Sequence, residues 1–269
     1  MESEIVTPKP VILVATYGTG TTEGERDNEK IDTIIRERFP GYDVRWAYTA
    51  EHFLKMLEKV GKTTMFERKL PIKRQGEVYS DLVKEGKTNV AVLCLLVHES
   101  LSVSKRIYEQ PTQGLNVKYS KPLLADIFNV EPLVQSLVPL FGGEDTANIL
   151  AGHGGVSEEE FFVNAPLLGM DEYVRWRYKN VFVATIHRAR LDLTERAFAD
   201  VRKGGFRQVI FIPLSLIASE HTDQDIMADT PESWKSQLGL PARATEPFCD
   251  NPVVMEVFMN YLGSVLAEF

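Results

Sequence analysis

Ser80–Val97 reads SDLVKEGKTNVAVLCLLV, and Ala199–Leu216 reads ADVRKGGFRQVIFIPLSL. Laid side by side without a gap, the two stretches share Asp81/Asp200, Lys84/Lys203, Gly86/Gly205, Val90/Val209 and Leu95/Leu214. Each opens with a charged, helical-period segment, passes through a glycine that suits a helix C-cap, and enters an unbroken apolar run. Such a run, rich in valine and isoleucine and without polar alternation, is what a strand covered on both faces requires. The pair predicts the same helix–glycine–strand unit used twice.

Working outward, further buried strands are expected at Val11–Thr16 (VILVAT), Asn148–Ala151 (NILA) and Val181–Ile186 (VFVATI). Amphipathic stretches such as Asn28–Phe39 and Leu193–Val201 lie between them. Alternating strands and helices predict parallel sheets with helices on both faces. YGTG (Tyr17–Gly20) follows the first strand as GHGG (Gly152–Gly155) follows the later one, which extends the repeat. The expected architecture is therefore α/β, with two similar lobes, residues 1–142 and 143–269, joined near the turn Phe141-Gly-Gly-Glu-Asp-Thr and separated by a cleft. Ligands of open parallel sheets bind at the carboxyl ends of the strands, so those ends are where chemistry is sought.

Composition narrows the classes. A chain of 269 residues that is 44% hydrophobic can bury a large core, while a net charge of -8 argues against a nucleic-acid partner, which needs clustered Lys and Arg. No apolar run approaches a membrane span, and MESEIVTPKP at the N-terminus has no signal-like segment; a cytoplasmic protein is expected, or a periplasmic one if a leader has been removed. Cys94 and Cys249, the only two cysteines, form no CxxC pair, so metal chemistry must rest on histidine and carboxylate. GTGTTEG (Gly18–Gly24) matches neither common phosphate-binding pattern, and no nucleotide is expected. The absence of a GxSxG elbow argues against a nucleophilic triad.

Three of the five histidines fall just beyond apparent strand ends of one half: His153 after NILA, His187 after VFVATI and His221 after VIFIPLSLIASE. Neutral imidazole is the commonest metal ligand and titrates near neutral pH, so three converging rings can hold a divalent cation and move protons. Taken singly, each could instead be a loop residue bonded to a carbonyl; their shared position favours the ligand reading. Glycines on both sides of His153 allow close approach to its ring. His52 is read as a surface or packing residue, and His98 as structural with ligand contact as the alternative. Glu220, Asp223, Asp225 and Asp229 surround His221, some as helix caps and others as partners of its ring.

TYGTG near the N-terminus, the central AGHGG, and IPLSLIASEHTDQDIMADTPESWKSQLG (Ile212–Gly239) together resemble the anaerobic cobalt chelatases, the sirohydrochlorin cobaltochelatases of cobalamin biosynthesis. The resemblance implies a class II chelatase fold and ATP-independent insertion of a divalent metal, Co2+ first and Fe2+ or Ni2+ as alternatives, into a sirohydrochlorin-type tetrapyrrole. It assigns metal ligation and proton acceptance to His153 and a corresponding place to His221; joined to the strand-end reading of His187, the expected set is His153, His187 and His221 as metal ligands, His153 and His187 as catalytic residues, and Tyr17, Gly18 and Thr19 against the macrocycle. A homo-oligomer is compatible with it. Two departures stand out. His187 occupies a position where the family usually carries glutamate, and LLVHESLSV carries Leu96, Ser100 and Ser102–Val103 where a histidine, a glycine and a Glu-Tyr pair are usual. These departures motivate a rival, a non-catalytic carrier of metal or of a finished tetrapyrrole such as haem. A periplasmic-type two-lobe binder would also explain the architecture, but not the three histidines.

Overall fold

The computed structural model describes residues 9–99, 101–155, 164–187 and 192–269, with the backbone alone at 101 and 102. Its first sheet comprises β1 (Val11–Thr16), β2 (Val44–Tyr48), β5 (Asn89–Cys94) and β6 (Asn116–Tyr119) in the order β2-β1-β5-β6, all parallel. The second comprises β7 (Thr146–Gly152), β8 (Val181–Thr185), β9 (Gln208–Pro213) and β10 (Ala242–Ala244) in the order β10-β9-β7-β8, again all parallel. Read from the β8 edge, this is the order of the first sheet. The echoed runs are thus the third strand of each lobe, and Gly86 and Gly205 before them have the same left-handed backbone, φ 72° and 67°.

Helices return the chain from each strand to the next. In the first lobe these are α1 (Thr22–Arg38), α2 (Glu51–Lys59), α3 (Gln75–Lys84) and α4 (Leu101–Tyr108), with the hairpin β3 (Thr64–Met65) and β4 (Leu70–Pro71) inserted after α2; α5 (Val130–Leu137) leads to the second lobe. There α6 (Ala165–Arg177), α7 (Leu193–Lys203), α8 (Trp234–Leu238) and α9 (Pro252–Leu266) follow. The helix expected from Asn28 begins earlier, because the Thr21 hydroxyl accepts the Gly24 N–H and caps it, with Glu23 and Glu25 in the first turn favouring the helix dipole. The third strand ends at Cys94 rather than Val97. Leu96 N–H bonds back to Cys94 O, and the carbonyls of Leu96 and Val97 turn to accept from Leu123 and Leu124. This bend swings the following residues, His98 among them, toward the lobe junction.

All strands of the first sheet precede residue 142 and all those of the second follow it, but α9 crosses over and packs on β5. Asn251 caps α9 by accepting from Val253 and Val254, and its buried Phe258, Met259 and Leu262 join an apolar cluster that includes Val14 of β1 and Leu150 of β7. Burying side chains of this size stabilises by about 1.5–3 kcal/mol each, so the crossing helix is a strong tie between the lobes. No helix among the described residues is long and apolar enough to cross a membrane.

Candidate metal and tetrapyrrole site

Because the strands of each sheet are parallel, their carboxyl ends share one edge, and the loops beyond that edge meet there. In the second lobe the pairing of β7 with β8 continues past both strands: Ile186 N–H donates to Gly152 O at 3.0 Å and His187 N–H to His153 O at 2.8 Å. Two histidines are thereby fixed side by side through the backbone. Gly154, at φ 74°, makes the turn possible; a Cβ there would stand 2.4 Å from the His187 carbonyl oxygen. Thr185, which ends β8, is held from behind by Thr194, whose hydroxyl donates to the Thr185 carbonyl at 2.6 Å.

The third histidine arrives by a longer path. After β9 the chain passes through Ser215–Glu220 to His221, and a five-residue π-helical turn, Thr222–Ile226, starts at the next residue. Such turns are rare and concentrate at functional sites. This one places the Asp225 carboxylate 2.7 Å from His221 Nδ1. A carboxylate only accepts, so Nδ1 carries the proton and Nε2 holds the basic lone pair. The same argument applies to His153, whose Nδ1 lies 2.9 Å from the Gly154 carbonyl oxygen.

The ring centroids lie 4.5 Å apart for His153–His187, 5.1 Å for His153–His221 and 5.9 Å for His187–His221. One nitrogen from each falls within 4.8 Å of the other two. Two imidazole nitrogens on one cation, each about 2.1 Å from it, stand no more than about 4 Å apart, so a slight contraction of side chains completes the set. All three predicted ligands are therefore brought together.

His153 and His221 line a cleft of about 350 Å³ between the lobes, within the range of small-molecule sites, and Ile186, next to His187, lines it too. Tyr17, Gly18 and Thr19, expected against the macrocycle, line the opposite side with Phe53, Met56 and Leu96. Tyr17 is 42% exposed, and burial of the rest pushes its phenol above the ordinary value, with the Arg106 guanidinium opposing the shift. Gly18 has φ 104°, and Phe53 stands where a side chain at that position would go. The Thr19 hydroxyl reaches across to the Ala218 carbonyl at 3.2 Å.

Two residues have fuller parts than the sequence suggests. His98, read as structural, lines the cleft, and its ring centroid lies 5.6 Å from that of His153. The strand bend after Cys94 brings it there, and no periodicity in the sequence announces that bend. His52 lies exposed on α2 at the cleft wall, its ring 5.7 Å from Tyr17. Of the four acidic residues expected around His221 as caps or ring partners, Asp225 is the one whose carboxylate meets the ring. Ser100 and the side chain of Ser102 lie outside the described residues.

A family model described as cobalt chelatase (CbiK) matches residues 10–248. The chain belongs to the cobalt chelatase family. Among curated proteins, the chelatase is similar to sirohydrochlorin cobaltochelatase CbiKC of Nitratidesulfovibrio vulgaris, 27% identical over 238 residues, covering 86% of this chain and 79% of that protein. Among solved structures, SirB from Bacillus subtilis with Fe3+ superimposes with a TM-score of 0.62 at 13% identity, covering 97% of this chelatase and 96% of that chain. At that identity the likeness concerns the fold, and it agrees with the two-lobed α/β architecture.

Proposed function

We propose that this chelatase inserts Co2+ into a sirohydrochlorin-type tetrapyrrole, without ATP, as a step of cobalamin biosynthesis. The observation that carries the reading is the convergence of His153, His187 and His221, two of which, His153 and His221, line an apolar cleft, in a member of the cobalt chelatase family. The metal is a substrate in this scheme. Insertion replaces two pyrrole N–H protons with Co2+, so two protons must leave the macrocycle as the metal enters. His153 is the principal base: it holds the metal through Nε2, and once the metal has passed to the ring that freed lone pair takes one pyrrole proton. His187, in backbone contact with His153, shares the metal with His153 and His221 and takes the second pyrrole proton after the metal has left it. Histidine ligation suits a cation that must be released, since imidazole holds it less tenaciously than a cage of thiolates. Tyr17, Gly18 and Thr19 present the surface against which the flat ring rests, with the Tyr17 phenol protonated at neutral pH and able to donate.

Anaerobic insertion of Co2+ into sirohydrochlorin, followed by the absorbance change of the macrocycle, tests the proposal. Turnover in the wild-type protein that is lost in His153→Ala is the expected result. A stable metal or metallated-tetrapyrrole complex with no turnover in either protein overturns it in favour of a carrier.

A further inference from the structure

We infer that the first lobe sets the position of His221, and that Asp27 is a positioning residue of the metal site. The inference rests on the reading of His221 as a metal ligand and goes beyond it.

Of the three ligand histidines, His153 and His187 are held by their own sheet. His221 is not: it lies eight residues beyond the end of β9, on a loop that the strand ladder does not reach. The grip of the other lobe on that loop acts on a single residue, Ala218. Its N–H donates to Asp27 Oδ2 on α1 at 3.0 Å. Its carbonyl accepts from Thr19 Oγ at 3.2 Å and from Thr21 Oγ at 3.4 Å. Both polar groups of Ala218 are thus taken up by first-lobe side chains, three residues before the ligand.

The carboxylate that does this is itself braced. Asp27 is 7% exposed, and its second oxygen, Oδ1, accepts from Lys30 Nζ at 3.2 Å and from the Cys249 thiol at 3.3 Å. Burial and the adjacent Asp27 charge raise the Cys249 thiol to about 12, so it remains a donor at working pH. The loop is also held on its far side, where Phe248 N–H donates to Ser215 O at 3.1 Å. Glycine at position 24 belongs to the same device: a Cβ there would stand 2.6 Å from the Ala218 carbonyl and 2.3 Å from Thr19 Oγ. α1 can approach the His221 loop this closely only with hydrogen at that position. The consequence is that the trio is complete only when the lobes are docked, and Thr19 is shared between the cleft wall and the grip.

The test is Co2+ binding to the full chain without tetrapyrrole, titrated by the visible absorption of protein-bound Co2+, with thermal unfolding measured alongside. Wild type is compared with His221→Ala, Asp27→Ala and Asp27→Asn. His221→Ala and Asp27→Ala are expected to weaken binding about ten-fold or more, the scale seen when an outer support of a metal ligand is lost. Asp27→Asn keeps an oxygen for the Ala218 N–H while turning an amide toward Lys30 and Cys249, and is expected to lose less affinity than Asp27→Ala. Asp27→Ser keeps a polar group on α1 but is too short to reach, and it takes the place of Asp27→Ala should that variant fail to fold, with the same expected loss. Wild-type affinity in Asp27→Ala or Asp27→Ser, beside a loss in His221→Ala, overturns the grip and leaves the ligand reading standing. Equal losses in the Ala and Asn variants overturn it in favour of a simple charge effect. Wild-type affinity in His221→Ala removes the ligand reading, and the grip with it.

Discussion

The carboxyl edges of the two sheets share a backbone and differ in chemistry. After the first strand of each lobe the chain turns through a left-handed glycine, Gly18 at φ 104° and Gly154 at φ 74°, and in both places a Cβ would meet an atom at 2.4 Å. Beyond that point they part. The first lobe fills its edge with Tyr17, Phe53, Met56 and Leu96, beside His52 and His98, whereas the second presents the cluster of His153, His187 and His221. In the proposed reaction the aromatic and aliphatic side chains of the first lobe support the flat macrocycle, and the histidine cluster of the second holds the metal and takes the protons. The comparison teaches that one scaffold, used twice, supplies both walls once the strand-end residues have diverged.

The sharpest way to break this division of labour is His153→Ala. Insertion should fall by about a hundred-fold or more, as expected on losing a general base that is also a ligand. Folding should survive, since the ring is flanked by glycines and contributes little packing; thermal unfolding beside the insertion assay separates the two. Unchanged turnover would remove the second lobe's claim to the chemistry.

The paired glycines sharpen the comparison at the level of backbone. Gly154→Ala must push against the His187 carbonyl, and Gly18→Ala against the edge of the Phe53 ring. Both adopt a strained φ, at a cost of about 1–3 kcal/mol. The backbone neighbour yields less than a side chain, so Gly154→Ala should unfold at the lower temperature and lose Co2+ affinity. Gly18→Ala should retain Co2+ affinity and raise the KM for the tetrapyrrole. Equal loss of Co2+ binding in both would mean that the two walls do not divide the substrates.

A smaller effect is expected from Asp225→Ala, which frees His221 Nδ1 to change its tautomer and orientation. Co2+ affinity should drop about ten-fold, read by the same titration. The smallest concerns His187→Glu. The added carboxylate attracts the cation while keeping a base in place, so turnover should be retained or raised, with less than about a ten-fold change. A dead variant would show that the site is built around the imidazole.

Much of this was legible in the chain. The apolar runs at Val11, Val90, Val181 and Val209 could only be buried strands, and the glycine before the third strand of each lobe marked the repeat. The strand-end histidines were visible as a set because a parallel sheet delivers all its carboxyl ends to one side. His98 was not legible in this way, since its place depends on the Cys94–Leu96 turn and on carbonyls taken up by Leu123 and Leu124. Nor was the crossing of α9 onto β5: an apolar, well-capped helix announces its existence and not its partner.

Local order was therefore determined by the sequence itself, through periodicity, capping and the backbone freedom of glycine, all of which act within a few residues. What faces the three histidines across the cleft, and what holds Ala218, was decided by the tertiary structure. Asp27 and Ala218 are 191 residues apart, and their hydrogen bond exists only because two independently patterned lobes dock with their strand ends together. Short-range preferences are written residue by residue; contacts of that separation are set by which apolar faces can be buried at once.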